Sequence, residues 1–167
     1  MIRSGDWRKQ MSRTEGEENK REAPPHYPLG MLLGREIVFI TVCTEGRARM
    51  LDTAVHHEVL HRVWCDSRDW MVGRYVVMPD HVHLFACPAS WSPIPLKRWV
   101  GWWKRQSAIA LGMGDGLWQV NFWDTRMRSA EHYAAKLLYV REKPVRQGLV
   151  KRAEEWEYGG VINSIGW

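Results

Sequence analysis

The sequence predicts a single α+β domain of the ferredoxin-like kind: an antiparallel sheet with helices on one face, followed by a C-terminal helix. Three observations lead there. Two extended runs, rich in aromatic and β-branched residues, are joined by a Pro-Asp break, which marks a hairpin. A segment of helical period precedes that hairpin, and a segment bounded by helix start and stop signals follows it. The order that results is β-α-β-β-α-β and then a helix, which suits helices packed on an antiparallel sheet.

Each element has a local cause. Residues 1–29 are rich in Arg, Glu, Lys, Ser and Pro, lack apolar periodicity and read as a mobile tail, which leaves 30–167 as one domain. Glu36-Ile-Val-Phe-Ile-Thr-Val-Cys-Thr44 is a strand dense in β-branched residues, and Glu45-Gly46-Arg47 breaks it. Asp52-Thr53 caps a helix running to about Asp69, with Val55, Val59, Leu60 and Val63 as its apolar face. Trp70 to Met78 and His81 to Cys87 are the hairpin strands around Pro79-Asp80. Pro93 or Pro95 opens a second helix over 95–110 that ends near Gly112. Leu117 to Met127 is an aromatic-rich extended segment. Ser129-Ala-Glu-His132 starts the last helix, with His where a capping box has Glu. That helix is expected to reach about Glu142 and to stop before Pro144. Arg152 to Trp167 is a short tail with Trp156 and Tyr158 docked on the body.

Composition narrows the function. The chain has 167 residues, enough for one domain with a real core, and a net charge of +5 that favours an anionic partner such as nucleic acid. Eleven tryptophans exceed what a core of this size needs, so some can offer flat faces to bases. Cys43, Cys65 and Cys87 form no Cys-x-x-Cys pair, which disfavours a disulfide framework or zinc ribbon and fits a reducing compartment. No apolar run reaches membrane-spanning length and the N-terminus has no apolar leader segment, so a cytoplasmic protein is expected.

His81 and His83 are two apart on a predicted strand and therefore share a face, with Phe85 beyond them. Two imidazoles so placed are half of a divalent metal site, or a pair satisfied by hydrogen bonds within a sheet. The wider string decides more. Val76-Val-Met-Pro-Asp-His-Val-His-Leu-Phe85 resembles the metal-binding signature of the HUH single-strand transposases. It is most similar to the REP-associated tyrosine transposases, whose usual form is Met-Pro-Asn-His-Val-His-Leu. The resemblance continues through Leu117-Trp-Gln119, Phe122-Trp-Asp124, Met127-Arg-Ser129 and Tyr139-Val-Arg-Glu-Lys-Pro-Val-Arg-Gln-Gly-Leu-Val150. Ile40-Thr-Val-Cys-Thr44 resembles the family's first strand, so the likeness covers about 35–160 in the family's order.

The resemblance implies that Tyr139, on the C-terminal helix, attacks a phosphodiester. The product would be a 5′-phosphotyrosine on one strand and a free 3′-hydroxyl on the other. Such a bond keeps the phosphodiester energy, so the strand can be rejoined without ATP. Tyr133 competes, but it lies six residues earlier on a different helical face, and the Pro-Val-Arg-Gln-Gly-Leu-Val string follows Tyr139. The resemblance also implies a divalent cation, Mg²⁺ or Mn²⁺, which would draw charge from the reacting phosphate. One departure stands out. Lys143 occupies the place where the family has Asn, one turn after the tyrosine, as its third metal ligand. A protonated lysine cannot ligate a cation. Three outcomes stay open: Glu142 coordinates from the next position, water fills the place, or metal affinity and activity are impaired. Asp80 stands where the family has Asn and either orients a histidine or stabilises the turn.

Leu96 to Arg105 interleaves basic and aromatic residues. Lys97, Arg98, Lys104 and Arg105 are candidate phosphate contacts and Trp102 or Trp103 a stacking platform, against a solvated basic face with Trp99 in the core. Arg126, Arg128 and Arg146 are further candidates for one side of a DNA groove. The expected partner is single-stranded or hairpin DNA, while the choice between monomer and dimer stays open. Two rivals remain. One is a DNA-binding protein that has lost cleavage, with Lys143 as its support. The other is a zinc peptidase, from His57-Glu58-Val59-Leu60-His61, although no nearby third ligand follows that motif.

Overall fold

A computed structural model describes residues 36–91 and 93–166; the tail expected over 1–29 lies outside the described residues. In chain order the elements are β1 (Val38–Cys43), α1 (Ala54–Cys65), β2 (Trp70–Met78), β3 (His81–Pro88), α2 (Leu96–Ala110), β4 (Trp123–Arg126), α3 (Ala130–Arg146) and β5 (Gly159–Val161). The five strands form one antiparallel sheet in the order β4-β1-β3-β2-β5. The first four strands and two helices have the ferredoxin-like arrangement, an α+β fold as expected.

Strand alternation separates two cores. Val38, Ile40, Val42, Val82, Leu84 and Ala86 pack with α1 and α2, through Leu60, Trp64, Trp99 and Trp103. Phe39, Val76, Met78 and Phe85 point the other way and pack with α3, through Tyr133, Val140 and the half-buried Tyr139. The last helix therefore covers the face that α1 and α2 leave bare. Tryptophan is mostly structural. Trp64, Trp70, Trp99, Trp103 and Trp118 are all buried, with Trp70 stacked on Trp99 at 5.6 Å and Trp103 edge-on to Trp64 and Trp118. Trp156 docks as expected, its indole N–H donating to Val77 O at 3.0 Å.

Several boundaries differ from the sequence reading. α1 ends at Cys65 rather than Asp69, because the chain turns at Asp66 and the Ser67 hydroxyl donates to Trp70 O at the start of β2. Val55 is exposed, and Trp64 takes the fourth place on the apolar face of α1. Only Trp123–Arg126 of the 117–127 segment is strand; Leu117 and Trp118 are buried in a loop that bridges to Thr44. α3 runs through Pro144 to Arg146. Proline in the last turn forfeits one helical hydrogen bond, and Pro144 is buried there. Gly148, at φ 68°, then ends the helix in the left-handed region that glycine tolerates. The short edge strand β5 was not expected from sequence.

Candidate active site

The hairpin turn sets the histidines. Pro79 O accepts from Met50 N and Leu51 N, and Asp80 O accepts from the Thr44 backbone N–H and hydroxyl, so the turn is tied to the exit of β1. His81 and His83 then face α3 from the central strand, beside Cys43 and Thr41 in register. Both are buried, and their Nε2 atoms lie 3.1 Å apart. The outer nitrogens are held as well. His81 Nδ1 lies 2.6 Å from Asp80 Oδ1, and His83 Nδ1 lies 2.8 Å from the Thr41 hydroxyl. Asp80 is fixed in turn by Arg47, whose Nε is 2.9 Å from Oδ2. Arg47 sits at φ 57°, an unusual conformation for a residue with a side chain.

Burial, with repulsion from His81, Lys143, Lys136 and Arg47, holds His83 well below the ordinary histidine range. Burial also lowers His81, against the pull of Asp80. Both rings are therefore neutral near pH 7, the state that offers a lone pair. Asp80 requires the His81 proton on Nδ1, which leaves Nε2 as an acceptor. The Thr41 hydroxyl can donate or accept, so it tolerates either tautomer of His83.

Tyr139 comes to the same place from α3. Ser129 caps that helix, its hydroxyl accepting from His132 N at 3.1 Å. The Tyr139 ring stands edge-on to His83 at 5.9 Å. Lys143 is buried one turn on, and its Nζ donates to the Tyr139 hydroxyl at 2.9 Å. Lys136 Nζ and Arg146 Cζ lie 5.1 Å and 5.3 Å from the centre of the Tyr139 ring. Tyr133 meets Phe85 instead, and its hydroxyl donates to Ile165 O at 3.0 Å, a packing role.

The structure thus brings together His81, His83, Tyr139, Lys143 and Arg146. Glu142 is half-exposed, 3.8 Å from Arg141, and among the described residues no three His, Cys, Asp or Glu form a group that could hold a metal ion. The basic residues of α2 lie across the sheet from the histidines. Lys97, Arg98 and Arg105 are exposed there and Trp102 is half-buried, while Trp103 is fully buried and cannot stack on a base. Lys104 bonds Gln119 O and Val120 O, pinning the loop before β4. Arg126 pairs with Glu36 and is opposite Val38, on the α1–α2 side, whereas Arg128 is exposed beyond the strand. In the His-Glu-x-x-His segment, His57 bonds the Tyr75 hydroxyl at 2.9 Å and His61 lies against Cys65, a packing arrangement. Sequence reasoning missed Thr41, Arg47 and Lys136. Thr41 and Lys136 left a signal, since strand pairing puts Thr41 beside His83 and Lys136 is three residues before Tyr139.

No family model matches the chain. The REP-associated tyrosine transposase of Escherichia coli strain K12 is 27% identical over 122 residues, 72% of this chain and 73% of its own. A solved structure of a REP-associated tyrosine transposase bound to a REP hairpin matches with a TM-score of 0.65 at 25% identity, covering 81% of each chain. In sequence and in fold the chain is similar to the REP-associated tyrosine transposases. His81, His83 and Tyr139, which the sequence resemblance singles out, share one face of the sheet. The histidine pair fits a cation as far as it goes. Two nitrogens each about 2.1 Å from one ion, at a right angle, are roughly 3 Å apart. The position the family fills with Asn carries instead the Lys143 ammonium, in contact with the tyrosine.

Proposed function

We propose that this protein is a REP-associated tyrosine transposase that cuts and rejoins single-stranded DNA at hairpins, with Tyr139 as nucleophile, in the reducing cytoplasm. The observation that carries the reading is the convergence of a half-exposed Tyr139 and two neutral histidines on one face. The solved relative bound to a REP hairpin supports hairpin DNA as the partner. In the step proposed, the Tyr139 oxygen forms a bond to phosphorus and the bond from phosphorus to the 3′-oxygen breaks. The phenolic proton passes to solvent, and the departing 3′-oxygen takes up a proton to become a hydroxyl. One phosphodiester replaces another, so rejoining is the same exchange in reverse.

His81 and His83 are the residues that would hold Mg²⁺ or Mn²⁺, and a cation there would polarise the phosphate and offset transition-state charge. Asp80 and Thr41 orient the two rings for that task. Covalent capture tests the reading. Incubation with hairpins cut from DNA flanking the gene should give a protein–oligonucleotide band of reduced mobility, absent in Tyr139→Phe. Wild-type protein that binds these hairpins in Mn²⁺ but never forms the band would favour the second reading, a binding protein without cleavage, which the ammonium at position 143 supports.

A further inference from the structure

We propose that Lys136, Lys143 and Arg146 form a phosphate cradle around Tyr139, one that seats a DNA phosphate with no divalent cation present. The inference rests on the reading of Tyr139 above and names what holds the substrate there. Positions 136, 139, 143 and 146 are spaced three, four and three apart, so they share one face of α3. Three cations lie close to one ring: Lys136 Nζ at 5.1 Å, Lys143 Nζ at 5.1 Å and Arg146 Cζ at 5.3 Å from its centre, with Lys136 also 4.9 Å from the centre of the Phe39 ring.

Depth is graded along the stripe. Lys143 is buried at the floor, Tyr139 and Lys136 are half-buried, and Arg146 is exposed at the rim. A buried ammonium acts in a low dielectric, where its attraction for an anion is screened less than at the surface. Its contact with the Tyr139 oxygen means that a phosphate oxygen drawn to the same charge lies beside that oxygen. Arg146 can add a fork of donors from outside. Together these place a phosphate beside the phenol oxygen. The same ammonium repels a dication at the histidine pair, and a seated phosphate offsets that repulsion. Phosphate and cation binding are therefore coupled, each raising the affinity for the other.

The test is a titration of full-length protein with inorganic phosphate in EDTA, read by NMR of ¹³C-labelled tyrosine rings. The Tyr139 signal is the one lost in Tyr139→Phe. A saturable shift of that signal is expected. Lys143→Gln should weaken it at least tenfold, while Lys143→Arg, which keeps the charge, should stay within about threefold of wild type. A shift that needs added Mg²⁺, or one unchanged in Lys143→Gln, would overturn the cradle. Loss in Lys143→Gln and Lys143→Arg alike would also overturn it, since charge would then not be the cause. Failure of the two readings is distinguishable. A phosphate shift without covalent capture on hairpins removes cleavage and keeps the cradle. Capture without the shift removes the cradle alone.

Discussion

Asp80 joins two residues that sequence reading treats separately. It accepts from Arg47 on one oxygen and binds His81 on the other, so the left-handed turn at Gly46-Arg47 is connected to the orientation of an imidazole. Removing such an outer partner lowers metal affinity by roughly 10- to 100-fold in metal–histidine sites. Asp80→Ala should therefore weaken Mn²⁺ binding by about that factor in calorimetry, and an unchanged isotherm would deny Asp80 that role. Lys143→Asn should act in the opposite sense on the metal alone, raising Mn²⁺ affinity in the absence of DNA by removing the ammonium beside the pair; a flat metal titration would contradict this. At this scale the sequence was informative where a residue sits in a longer motif. His81, His83, Tyr139 and Lys143 stood out only through the strings around them and the resemblance those strings carry, since a histidine pair or one helical tyrosine alone fits core packing as well. Arg47 did not stand out, because one arginine in a broken loop looks like any solvated charge until Asp80 is seen against it.

The helices show the same contrast between pattern and context. Ser129 caps α3 through His132 N, so Ser129→Ala should cost about 1 kcal/mol in urea unfolding and loosen the turn that leads to Tyr139. In α2, Trp103 is fully buried between Trp64 and Trp118. Trp103→Ala should cost roughly 3–5 kcal/mol, whereas Val55→Ser, at an exposed site on α1, should stay within about 0.5 kcal/mol. Equal effects from the last two would mean that the faces of these helices are misassigned. Sequence pattern, through apolar spacing, caps and breakers, found all three helices and the hairpin. It misplaced Val55 because a helix start can carry an apolar residue outside the buried stripe. It stopped α3 too early because a proline rule that holds for free helices yields when the ring is buried. β5 left no pattern, since Gly159-Gly160-Val161 pairs by backbone alone at the sheet edge.

Across the whole molecule the sheet divides the chemistry. One side carries the histidines and α3; the other carries the exposed basic residues of α2, Lys97, Arg98 and Arg105. If that second surface follows DNA, each charge removed should reduce the salt dependence of binding by about one ion, with cleavage at saturating DNA unchanged. Stability should depend on pH through the first side. His83 and His81 titrate lower in the folded protein than the usual value of about 6.5, so the unfolded chain binds more protons as pH falls. The stabilisation is complete above about pH 6.5 and is lost below it, at about 1.4 kcal/mol per pH unit for the fully buried His83. Melting temperature should fall between about pH 7.5 and 5.5, and His83→Gln should flatten that fall. An equally steep fall in the variant would assign the dependence elsewhere.

The sheet order has a consequence for the moment of synthesis. The His81–His83 hairpin lies in the middle of the chain, while Tyr139 arrives on the last helix, and Trp156 docks on β2 later still. A chain growing from the ribosome can thus form its imidazole pair before it owns a nucleophile. On the function proposed, cutting becomes possible only when α3 settles on the sheet. A half-made or truncated product would be unable to nick the genome that encodes it.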